Sequence, residues 1–190
     1  MKRTPRLLLP LLLAAGSANA ALIDNGTSMI DTGTGLQWLD LTQTQGMSWN
    51  TVLASSFVTV DGYAHATETQ VITLFTNAGF LTTNNVNNVL NNPAANTLLA
   101  YLGCTQFCNT VNALGRGFAE WSGAQKTRPN YHMTGLGAGA VTTSLLTSNL
   151  DLVDATAGHF LVKVVPVPAA VWLFGSALGV MGVMRRKLVA

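Results

Sequence analysis

Two kinds of apolar pattern divide this chain. Near each end the apolar residues form an almost unbroken run, at residues 7–15 and 169–184, whereas between them they recur at short periods among Thr, Ser, Asn and Gly. The periodic part begins with Leu22-Ile23 and Met29-Ile30 around Asn25-Gly26, a dipeptide suited to a tight hairpin because both residues tolerate positive φ. A second turn over residues 31–35 leads into Leu36, Gln37, Trp38 and Leu39, whose alternation predicts a strand. Ser48 reads as the N-cap of a short helix with Trp49, Val52 and Leu53 on one side. Thr67-Glu68-Thr69-Gln70 has capping-box spacing, Val71, Leu74, Phe75 and Ala78 follow i, i+3, i+4, i+7, and Gly79 stands where a left-handed cap belongs. A third helix opens with Asn92 as cap and Pro93 at its first position, runs through Leu98, Leu99 and Leu102, and stops at Gly103. Residues 82–92 are mostly Thr and Asn, whose side chains compete for local backbone groups, and this predicts a turn-rich loop.

Beyond Gly103 the pattern favours strands: Phe118 to Trp121, Tyr131 to Met133, a small-residue stretch at 135–144, and a terminal strand over residues 159–165. Helices early and strands late predict an α+β domain with a late antiparallel sheet. No internal repeat of solenoid length is present.

The end runs differ from this middle in kind. Lys2, Arg3 and Arg6, the apolar run at 7–15, and Ala18-Asn19-Ala20 form the three parts of a secretory signal, with cleavage expected between Ala20 and Ala21. As an anchor helix the first run would be about half the ~20 residues a membrane span needs. The second run has 16 residues without charge, about 24 Å of helix at ~1.5 Å per residue, and is flanked by Arg185, Arg186 and Lys187, whose long stems reach the interface and whose charge keeps them cytoplasmic. The chain is thus expected to divide into a signal peptide (1–20), an exported ectodomain (21–164) and a C-terminal segment (165–190) with a transmembrane helix at 169–184.

Charge follows the same division. The formal +2 of the whole chain comes from three basic residues in each terminal segment, because Arg116, Lys126, Arg128 and Lys163 face all eight acids between 21 and 164 and leave that segment at −4. The basic total is therefore no sign of nucleic-acid binding.

Val165-Pro166-Val167-Pro168-Ala169, the apolar helix that follows, and Arg185-Arg186-Lys187 together resemble the PEP-CTERM sorting signal in its VPxPA form. Val167 departs from the Glu or Leu of typical members. The resemblance implies a route: the Sec translocon and signal peptidase at the inner membrane, a transient membrane anchor, then cutting by an exosortase near residues 165–169 and delivery to the cell surface or extracellular matrix. A plain C-terminal anchor is the alternative.

The order Gly35-Leu36-Gln37-Trp38, Met47-Ser48-Trp49, Gly62-Tyr63-Ala64-His65-Ala66-Thr67, Trp121-Ser122 and a closing strand is similar to C-type-lectin-like domains of bacterial surface proteins. Tyr63-Ala64 stands in place of that family's Trp-Arg, and Gln70 in place of its Glu. Its calcium-dependent sugar ligands are not carried over, since no Glu-Pro-Asn or Trp-Asn-Asp tripeptide occurs.

Candidate chemistry in the middle is sparse. Cys104 and Cys108, the only cysteines, are expected to pair in an oxidising compartment as a local staple. His65, His132 and His159 lie far apart in sequence without metal-ligand spacing, and His159 reads as a sheet-surface residue. The carboxylates read as turns and caps, Arg116 as a turn residue between glycines, and Trp38, Trp49 and Trp121 as core residues that could stack on sugar rings only if exposed. No catalytic, cofactor or metal site is expected. The functional expectation is a non-enzymatic surface or matrix protein linked to exopolysaccharide. A carbohydrate-binding module and an enzyme acting on extracellular polysaccharide stay open as alternatives.

Overall fold

Residues 21–82, 86–121, 125–141 and 146–165 are described in a computed structural model; Ala18, Ala20, Pro166 to Ala169, the apolar tail, and Arg185, Arg186 and Lys187 lie outside them. The chain opens as a meander of β1 (Leu22–Asp24), β2 (Ser28–Asp31) and β3 (Leu36–Leu39). In the first hairpin Asn25 N–H donates to the Ser28 carbonyl, and Gly26 alone has positive φ, at 87°. The turn is therefore centred on Gly26-Thr27, one residue later than the Asn25-Gly26 reading, with Gly at the first central position as a II′ turn requires. At the second turn the Asp31 carboxylate accepts from Gly33 N–H, Thr34 Oγ1 and Asn77 Nδ2 at 2.8–2.9 Å, fixing residues 31–35 to the helix that carries Asn77.

Helix α1 (Trp49–Leu53) starts where Ser48 Oγ accepts from Thr51 N–H. Its buried side is Trp49 and Val52; Leu53 is exposed, which corrects its expected place, and a further short helix, α2 (Ser56–Thr59), follows. After β4 (Ala64–His65), α3 (Glu68–Ala78) has the predicted reciprocal Thr67/Gln70 capping box, and Gly79 closes it at φ 101°. Val71, Leu74 and Phe75 are fully buried, each contributing about 1.5–3 kcal/mol by leaving water. Helix α4 (Asn92–Tyr101) begins one residue earlier than read, with Asn91 at the cap position and Pro93 second in the helix. The Asn91 amide is engaged elsewhere, accepting from Leu81 N–H and donating to the Ala138 carbonyl, so it ties the helix start to two neighbouring segments instead of capping.

The later strands are β5 (Leu114–Glu120), β6 (Lys126–Thr127), β7 (Asn130–Thr134), β8 (Gly137–Val141), β9 (Leu146–Thr147), β10 (Gly158–His159) and β11 (Leu161–Val164). Arg116 faces Asn130 and Ala119 faces Thr127 in one antiparallel register, interrupted at Arg128-Pro129, where the Pro129 carbonyl still accepts from Gly117 N–H. Among the described residues, β8, β7, β5, β6 and β9 form one sheet with β10 alongside β5, while β1, β2, β3, β11 and β4 form another. The architecture is mixed α and β with mainly antiparallel sheets. Antiparallel pairing is not confined to the late part of the chain as read, because the opening meander supplies three strands of the first sheet.

The expected terminal strand is two strands. β10 runs parallel to β5, then the chain crosses at Phe160 and continues as β11 in the other sheet, antiparallel to β3 and β4. At the crossing Phe160 N–H donates to the Phe118 carbonyl and the Phe160 carbonyl accepts from Ala66 N–H, so one residue bonds to both sheets. Its ring meets Trp38 and Phe75 edge-on with centroids 6.2 Å away, inside the main core of α3, α4 and the inner faces of both sheets. Alternation along β5 gives its sheet two faces: Ala119 and Tyr131 point into that core, while Phe118 packs on the opposite side with Trp49 and Ala157. Cys104 and Cys108 form the expected disulfide, with Cα atoms 5.4 Å apart. No helix among the described residues is long and apolar enough to cross a membrane.

Close backbone approach at the crossing yields a test. A Cβ on Gly158 would overlap the carbonyl of Leu41, which is backbone and cannot rotate away, whereas Gly26 has open space around it and needs glycine only for its φ. Gly158→Ala is expected to destabilise by about 3 kcal/mol or more, and Gly26→Ala by about 1 kcal/mol. Urea denaturation of the two variants side by side measures the difference; equal losses would mean the segment carrying Leu41 can shift at little cost.

Candidate functional site

Sequence spacing separates His65 and His159 by 94 residues, but the pairing of β4 and β10 with their neighbours brings the two rings together. His159 is fully buried, not on a sheet surface, because the chain dives between the sheets at this point. Its Nε2 lies 3.0 Å from the Met47 carbonyl, which can only accept, so Nε2 carries the proton and Nδ1 is left to accept from His65 Nε2–H at 3.0 Å. Thr44 Oγ1 accepts from the His159 backbone N–H at 2.8 Å. The result is a directional chain of two neutral imidazoles ending on a backbone carbonyl.

Trp49 stacks on His65 with ring centroids 3.4 Å apart and planes within 11°. That spacing leaves no room for another group on the same side, so Lys126 Nζ, 4.3 Å from the indole centroid, covers the opposite face. Glu120 holds Lys126 from outside at 3.7 Å. Both faces of Trp49 are therefore occupied, and it is no open sugar platform. Trp38 is buried as well, and of these three tryptophans Trp121 alone is exposed, at 40%.

Burial, with the positive charge that His159 and Lys126 would add, pushes His65 down to about 3. Burial pushes His159 down to about 4, with the Met47 carbonyl opposing. Beside this column lies a shallow cleft lined by Trp49, Phe118, Lys126, Thr147, Asn149 and Leu152, with His159 at its floor. The enclosed part, about 10 Å³ for water centres, has room for roughly one water, so a larger ligand would sit at its mouth. Besides the Trp49 indole and the His159 imidazole, whose nitrogens are engaged by His65 and Met47, its polar groups are the Asn149 amide, the Thr147 hydroxyl and the Lys126 ammonium.

A second polar cluster lies along the same sheet face. Arg128 forms an ion pair with Asp154, whose Oδ1 accepts from Thr156 N–H and Oγ1 at 2.8 and 2.6 Å, and Thr156 Oγ1 in turn accepts from Arg116 Nη1 at 3.1 Å. Burial works to raise the Asp154 pKa, but the Thr156 bonds and Arg128 outweigh it and hold it below the ordinary value. Arg116 is thus part of a strand and a network, not a solvated turn residue. A third cluster surrounds Asp40, which is 8% exposed with Oδ1 buried and unpartnered; burial and then Asp24 push it up to about 6.

The remaining candidates stay apart. His132 sits between Asn87 Oδ1 at 2.8 Å and Asn130 Oδ1 at 3.3 Å, and Glu68 opens α3. Asp151 accepts from Asn50 Nδ2 at 2.7 Å. No group of three His, Cys, Asp or Glu suited to a metal ion occurs among the described residues. Of the targeting residues, Ala21 and Val165 are described: Ala21 N–H donates to Thr32 Oγ1 at 2.8 Å, and Val165 N–H to the Gly35 carbonyl at 2.9 Å. The histidine pair was invisible to motif spacing, because only tertiary pairing creates it.

The two kinds of buried ionisable group give opposite pH dependences. His65 and His159 titrate below the ordinary 6.5, so the unfolded chain takes up protons first as pH falls; their contribution is complete above about 6.5 and is lost on descending towards their folded values. Asp40 titrates above its ordinary 3.8, so its penalty is absent in acid and appears as pH rises through about 6. Stability is expected to fall between pH 7 and 4, and to fall more steeply in Asp40→Asn, where the compensating gain is gone. Urea midpoints across that range check this; a parallel curve for the variant would mean that Asp40 titrates normally, and a shallower one that its pKa is lowered.

No protein-family model matches the chain, and neither a curated protein nor a solved structure matches it significantly, so the chemistry of the site rests on its own side chains.

Proposed function

We propose that this chain is an exported bacterial surface or extracellular-matrix protein, sorted and processed by an exosortase, whose ectodomain acts by binding rather than catalysis. The observation that carries the sorting reading is the ordered tail: Val165-Pro166-Val167-Pro168-Ala169, a charge-free run of 16 residues, then Arg185-Arg186-Lys187, on a chain that opens with a secretory signal. The positions of the two described ends agree with it. Ala21 and Val165 are both hydrogen-bonded to the turn at residues 31–35, so both ends leave from one pole of the ectodomain, as suits a domain held at a membrane by its last residues.

Carbohydrate binding is the form of activity favoured by the cleft. Above buried Phe118 and His159, half-buried Leu152 with Thr147 and exposed Asn149 at the mouth offers the edge of a sugar ring an apolar contact and its hydroxyls partners. A polysaccharide hydrolase would instead place two carboxylates about 5–5.5 or 6.5–9.5 Å apart, whereas Glu120, beside the lining residue Lys126, is engaged by that lysine, and Asp151, next to Leu152, by Asn50. A C-type-lectin-like fold is part of this proposal, supported by the motif order and by β3 pairing with the closing strand β11.

Intact mass and fractionation of the native protein, in its host with and without the exosortase, test the sorting reading. The expected result is a form lacking both terminal segments, outside the inner membrane, only when the protease is present. Retention of residues 169–190 in the membrane in both strains would make the chain a plain anchored protein.

A further inference from the structure

Four basic residues occur between residues 21 and 164, against eight acids, and three of the four share one face of one sheet. In the register that sets Arg116 opposite Asn130 and Ala119 opposite Thr127, Arg116 and Phe118 on β5 point the same way as Lys126 and Arg128 on the partner strand. This is the face away from the helical core, and Phe118 and Lys126 on it line the cleft. A stripe of three cations on a segment of net charge −4 is a concentration of charge, not the overflow of a basic protein.

Neutralisation along the stripe is incomplete. Glu120 takes Lys126 and Asp154 takes Arg128, while Asp151, on the same side of the molecule, is bonded to Asn50. Arg116 makes no ion pair among the described residues: Nη1 donates to a neutral hydroxyl and Nε is buried without a partner. Burial first, and then the neighbouring Arg128, work against its charge, with Asp154 only partly compensating. A half-buried guanidinium keeps two-pronged donor geometry for which a carboxylate is the matching acceptor.

We infer that the mouth of the cleft and this stripe together bind an acidic polysaccharide, with a sugar ring against half-buried Leu152, its hydroxyls on Thr147 and Asn149, and a uronate carboxylate on Arg116. This rests on the binding reading above and names its ligand class. Binding needs no metal, since Arg116 supplies the countercharge directly.

Full-length protein, purified in detergent so that any anchor is kept, is run by affinity electrophoresis through gels containing polygalacturonate or, separately, neutral dextran. Retardation is expected in polygalacturonate alone, and it should weaken as salt rises because the contact is ionic. Arg116→Gln should weaken it at least fivefold and Arg116→Lys partly, since lysine keeps the charge without the fork. Lys163→Gln, which removes the one cation of the four that lies off the stripe, should leave it unchanged. Arg116→Lys reports on the site even if Arg116→Gln does not fold. Retardation in dextran equal to that in polygalacturonate, or an equal loss in Lys163→Gln, would overturn the acidic-ligand inference and leave polysaccharide binding standing. Retardation in neither gel would overturn both.

Discussion

The crossing of the chain at Phe160 is the constraint on which the rest of this structure depends. One residue gives its N–H to one sheet and its carbonyl to the other, and its ring goes into the core they share with α3 and α4. Backbone polar groups buried at such a junction must be paired, and here the pairing is what fixes the two sheets relative to each other. Its neighbours are set by it: Gly158 has no side chain because the Leu41 carbonyl occupies that space, and Gly117 lies against Phe160. His159 is placed one residue before the crossing and is buried there among Trp49, Phe118 and His65.

The column at the site follows from this placement. A buried imidazole needs partners for both nitrogens, and His159 finds them in the Met47 carbonyl and His65. His65 in turn supplies the flat surface on which Trp49 lies, and Trp49 supplies the negative face over which Lys126 sits. Each group neutralises the polar demand of the one before it, from the interior out to Glu120. The histidines are therefore parts of the wall, with both His159 nitrogens already engaged, and the groups left at the cleft mouth are those of Thr147 and Asn149.

What was legible in the sequence was what neighbouring residues decide. Thr67, Gln70 and Gly79 announced both ends of α3, because caps are local hydrogen bonds. Ser48 announced the start of α1 in the same way. Where a side chain had a distant partner the reading slipped: Asn91, committed to Leu81 and Ala138, moved the start of α4 by one residue, and the alternation over residues 159–165 hid a change of sheet. The candidate site was hardly legible. His65 and His159 are joined by pairing across 94 residues, and the Arg116 and Arg128 face appears only once β5 has a register. The Cys104–Cys108 pair was read correctly because four residues of separation make it nearly local.

Both ends of the described chain are bonded to the turn held by the Asp31 carboxylate. A pull applied between them loads that turn first, together with α3, which Asn77 joins to the Asp31 carboxylate. Once the turn opens, the load passes to the end strands β1 and β11 and to their pairing with β2 and β3. Where the ends emerge makes one short turn the first element to bear a load between them, ahead of both sheets.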